Sequence, residues 1–65
     1  MTAEEVMERI KYRLIALVGK RNFTHASVGV WPRVILDMHE EEWKNADPEI
    51  KQFVKENNII VETWT

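Results

Sequence analysis

Apolar residues recur at Val6, Ile10, Leu14, Leu17 and Val18, the three-and-four spacing that lines one face of a helix. The stretch opens on Thr2, with Glu5 three residues later. That is a capping box: the Thr2 hydroxyl accepts from the Glu5 amide, and the Glu5 carboxylate accepts from the Thr2 amide. Glu4, Glu5 and Glu8 lie towards the start, where the helix dipole favours negative charge. Gly19, followed by Lys20 and Arg21, suits a left-handed stop, and Lys20-Arg21-Asn22 reads as a turn. The pattern predicts a helix over about residues 3–19. Its apolar residues (Ala3, Val6, Met7, Ile10, Leu14, Ile15, Leu17 and Val18) cover roughly half of the helical wheel. A surface helix needs a narrower stripe, so this one is expected to touch both its own sheet and a partner.

From Val28 the period changes from helical to two. Val28, Val30, Val34, Leu36 and Met38 alternate with Gly29, Trp31, Arg33, Ile35, Asp37 and His39, and Pro32 falls in the first register. Alternation with β-branched residues means strand. Neither Trp31 nor Pro32 favours positive φ, so Trp31-Pro32 makes a poor two-residue hairpin turn. One bent strand over about 27–38 is therefore favoured. The alternative is a hairpin turning near Ser27–Gly29, with a first strand at Phe23–Ala26. Asp37 and Glu40 resemble a second cap, and Asp47-Pro48-Glu49 a third. Trp43, Ala46, Ile50, Phe53 and Val54 keep one helical register through Pro48, which gives a short helix at 40–46 and a firmer one at 48–57. Asn57-Asn58 is a left-handed stop, and Ile59 to Trp64 reads as a last strand.

The resulting expectation is a single α+β domain over residues 1–65, in the order helix, strand, helix, strand. The two strands would be parallel, since about 20 residues and a helix separate them. Two strands make a weak sheet. A sheet of two or three strands completed or covered by a second subunit follows, with the last strand as a natural pairing edge.

Composition sharpens that reading. The chain has 65 residues and no cysteine, so neither a disulfide nor a thiolate metal site can staple so small a core. Subunit association is the remaining staple. No apolar run reaches the roughly 20 residues of a membrane span, and Thr2-Ala3-Glu4-Glu5 is unlike a signal peptide. A cytoplasmic protein with no membrane partner is expected. The net charge of -2 divides into +3 over residues 1–33 and -5 over residues 34–65. The bland account is pairing within the chain; the sharper one is attraction between unlike halves of two chains.

Chemistry is thinly provided. Asp37, His39, Glu40 and Glu41, with His25, offer no metal-ligand spacing of a familiar type. Ser27 is the only serine, and Gly19 and Gly29 stand apart from any phosphate-binding loop. The expectation is a protein that is not an enzyme and carries no cofactor. The leading reading is a small interaction protein, homodimeric, that offers an apolar and aromatic surface to itself or to another protein. Its contact residues would be Met7, Leu14, Ile15, Trp31, Ile35 and Trp64. The second reading is a nucleic-acid-binding regulator of the kind found in compact bacterial or phage genomes. There Arg9, Arg13, Lys20, Arg21 and Arg33 would meet phosphates, against the overall acidity of the chain.

Overall fold

The computed structural model describes residues 2–21, 23 and 25–65. A long helix, α1 (Ala3–Gly19), leads into a hairpin of β1 (Ala26–Val30) and β2 (Val34–His39). Two helices, α2 (Glu40–Lys44) and α3 (Pro48–Glu56), then return the chain to β3 (Ile60–Trp64). The sheet runs β1-β2-β3, antiparallel on the β1 side and parallel on the β3 side. The α+β class and the parallel second pairing match the sequence reading. The third strand comes from dividing the middle segment.

That division corrects the single bent strand and also its alternative. The chain reverses at Trp31-Pro32-Arg33, so that Val30 faces Val34 and Ala26 faces Met38. The Trp31–Pro32 peptide is cis, and no residue of the turn has positive φ. The pairing also explains why alternation looked unbroken. With three connecting residues, each even-numbered residue of β1 faces an even-numbered residue of β2. A straight strand and this hairpin therefore write the same period-two pattern. Asn22 of the expected turn and Thr24 of the alternative first strand lie outside the described residues.

The core lies on one face of the sheet. Val34, Leu36 and Met38 of β2 are buried with Leu14 and Val18 of α1, Ala46, Ile50 and Val54 from the α2–α3 region, and Ile59. Leu14, Leu36, Met38 and Ile50 are wholly enclosed. Leu14, expected on an interaction surface, is thus a core residue. On the helical wheel it falls with Met7 at the middle of the apolar arc, while Val6 and Ile15 fall at its two edges. The edges are what remain open, at 40% and 42% exposure.

The caps are specific. The Thr2 hydroxyl accepts from the Glu5 amide at 3.2 Å, as the capping box requires. Gly19 closes α1 without positive φ, contrary to the left-handed stop expected there, whereas Asn58 does adopt a left-handed φ of 52° after α3. Asp37 remains in the β2 ladder and caps nothing. His39 takes that role, its Nδ1 accepting from the Glu41 amide at 3.1 Å. Asp47 caps α3 through the Ile50 amide at 3.1 Å.

Asp47 also receives the Nε–H of Arg21, whose Nη2 reaches Glu49 Oε2 at 3.2 Å. This bridge fastens the end of α1 to the start of α3. The Arg21 hydrogen bond, with the Ile50 amide behind it, holds the Asp47 carboxyl below its ordinary 3.8. A carboxyl depressed in the folded state stabilises fully above the unfolded value and loses that contribution as pH falls through the folded one. Asp47→Asn keeps an amide-accepting cap but has no proton to bind. Urea unfolding from about pH 6 down to about pH 2 should therefore show a flatter acid loss of stability in Asp47→Asn than in the parent. Parallel curves would disprove the linkage.

Candidate functional site: the uncovered face of the sheet

Among the described residues, the helices pack on the core face or at the end of the sheet, and none lies over the other face. Strand residues alternate sides, so Ile35, Asp37 and His39 point away from the core. Register supplies their neighbours. Ile35 lies between Gly29 and Ile60, Asp37 between Ser27 and Glu62, and His39 beside Trp64. Ile35 and Ile60 are half-buried, yet neither packs against the core cluster.

The far end of this face is aromatic. The His39 and Trp64 ring centroids are 5.1 Å apart at 83°, and His25 stands 5.8 Å from Trp64 and 6.0 Å from His39. The edge-to-face angles place ring edges against the indole. The His25 amide donates to Glu42 Oε1 at 3.1 Å, which ties the start of β1 to α2. His39 Nδ1 is occupied by the Glu41 amide, so in the neutral ring the proton sits on Nε2. Among the described residues, no three His, Cys, Asp or Glu side chains group closely enough to hold a metal ion.

The centre of the face is acidic and its near end apolar. Asp37 and Glu62 are directly paired across β2 and β3. Gly29 beside Ile35 and Ile60 leaves a shallow place, since a Cβ built on Gly29 meets nothing within 4 Å. Among the described residues no neighbour accounts for a glycine in mid-strand, where it weakens the strand.

The contact residues named from the sequence do not form one patch. Ile35 and Trp64 lie on the bare face, where Trp64 is 44% exposed. Ile15 lies on α1, across the sheet from them. Met7 and Trp31 line a groove at the hairpin tip, and Leu14 is buried. The cations of the second reading are partly committed elsewhere. Arg21 is engaged by Asp47 and Glu49, and the Arg13 guanidinium lies 5.6 Å from the Phe53 ring centroid. Sequence reasoning missed the His25–His39–Trp64 cluster because only strand register brings the three rings together.

Comparison with protein-family models, with curated proteins and with solved structures finds no match in any of the three. Among the described residues no helix is long and apolar enough to cross a membrane.

Proposed function

We propose that this chain is a small, non-catalytic interaction protein that self-associates, with the uncovered face of the sheet as the contact between two copies. The supporting observation is the half-buried Ile35–Ile60 pair beside an empty Gly29, on a face that none of the described elements covers. Sheets stack about 10 Å apart, and a glycine in a strand admits the close approach of another chain.

Charge sets the register of the pairing. A carboxylate buried without a partner costs several kcal/mol, so Asp37 and Glu62 must stay wet or meet cations. With a two-fold axis through the Ile35–Ile60 row, one copy stacks with its strands reversed on the other. The tip of one hairpin then lies over the acidic row of its partner. Arg33, exposed at that tip, is the cation that meets Asp37 and Glu62. Each contact occurs twice, as a closed two-fold dimer requires.

Gly29→Thr tests this surface. Among the described residues a Cβ at this position meets nothing within 4 Å, and threonine favours a strand by a fraction of the ~1 kcal/mol range of strand propensity. The variant should fold at least as stably as the parent but associate more weakly by sedimentation. Undiminished association would remove the bare face as the contact.

A further inference from the structure

At the hairpin tip, Met7, Val30, Trp31 and Pro32, together with Glu4 and Glu8, line a groove of about 340 Å³ between α1 and the turn. We propose that this groove is a docking site for an arginine side chain presented by a basic segment of another protein.

The volume lies at the lower end of the ~300–1,000 Å³ typical of ligand pockets, which suits one side chain. Trp31 forms one wall and is 82% exposed, the most exposed of the large apolar residues described. Glu4 and Glu8 are one helical turn apart and lie on the same side of α1. Among the described residues neither carboxylate has an ion-pair partner. Glu4 is in the first turn, where the helix dipole alone would explain it. Glu8, grouped with Glu4 and Glu5 from the sequence, lies beyond the first turn, where the dipole's pull has largely fallen off.

An exposed indole face beside two unpaired carboxylates selects a cation with an apolar stem. Arginine fits better than lysine, because its planar guanidinium stacks on the ring while its N–H groups fork to the carboxylates. Its stem lies on Met7 and Val30. The groove opens on the α1 side of the hairpin tip, whereas the stacking contact uses the opposite, bare face of the sheet, so an occupant there is separable from self-association.

The test uses the full chain and a fluorescein-labelled glycine–serine peptide with two central arginines, read by fluorescence anisotropy. The comparison peptide carries neutral citrulline at both positions. The arginine peptide should bind and the citrulline peptide should bind at least about fivefold more weakly, with added salt closing the gap. Trp31→Ala and, separately, the double variant Glu4→Gln/Glu8→Gln should each weaken arginine binding by about fivefold. The glutamine pair changes charge without shape and keeps the test decisive if the alanine variant folds poorly. Equal binding of both peptides would assign the groove to a neutral apolar ligand. Displacement of one copy from another by the peptide would assign it to a second copy of the chain. Either result, or no binding by the parent, overturns the proposal.

Discussion

Leu36→Ala should strip the protein of a large part of its stability and bring its urea midpoint sharply down. Leu36 is wholly enclosed in the central strand, between the neighbours Val28 on β1 and Val61 on β3. A buried leucine cut to alanine costs about 2–5 kcal/mol, the lost transfer energy plus the cavity that remains. A chain of this length has only about 3–10 kcal/mol of total stability. The loss therefore spans a large part of what is available. Leu14→Ala and Ile50→Ala should behave alike, because both side chains are equally enclosed on the facing helices. Ile15→Ala, on the open edge of α1, should change stability by no more than about 0.5 kcal/mol. Urea unfolding followed by far-ultraviolet circular dichroism checks the contrast. Similar midpoints for Leu36→Ala and Ile15→Ala would mean that the core does not lie where it is described.

The second large effect is expected at Ile35. Ile35→Asp places a third carboxylate beside Asp37 and Glu62 on the bare face. In a single chain that position is half-exposed and outside the core cluster, so the fold should survive. In a stacked pair the new charge would be buried opposite its own symmetry copy, where like charges repel in a low dielectric. A hot-spot residue at the centre of an interface carries about 2 kcal/mol or more, and with Ile35 on the two-fold axis association should weaken by about thirtyfold. Ile60→Asp should match it, because Ile60 is its register partner. A variant that unfolded instead would place Ile35 in the core, against its absence from the core cluster.

These two residues show where the sequence was legible. Leu36 was assignable from alternation alone, and so were Val34 and Met38. Helix α1 was readable to its ends, because a capping box and a helical period agree over the same residues. The break at Asp47-Pro48 was readable for a similar reason: aspartate caps, and proline fits the first helical turn. Ile35 was placed on the second face by the same alternation, but its neighbours were not. Gly29, Ile60 and the ring cluster around Trp64 join it only through strand pairing, and pairing is non-local.

Two failures have definite physical causes. The hairpin was hidden because a three-residue connection preserves parity, so the pattern carried no mark of the reversal. Leu14 is buried, not exposed, because the wide apolar arc of α1 is not uniform. Its middle faces the core and its edges remain outside, a distinction the wheel already contains. The cap of α2 was a nearer miss. Asp37 and Glu40 have suitable spacing, but the ladder with Ser27 and Glu62 holds Asp37 extended, and the next turn begins only after His39.

Sedimentation equilibrium of the parent chain, run from low to high micromolar concentration beside Gly29→Thr and Ile35→Asp, tests the claim of a second copy on the bare face most directly. The expected result is a parent that fits a monomer–dimer equilibrium, and two folded variants shifted strongly towards monomer. A folded parent that stays monomeric throughout, or variants that dimerise as well as the parent does, would contradict it.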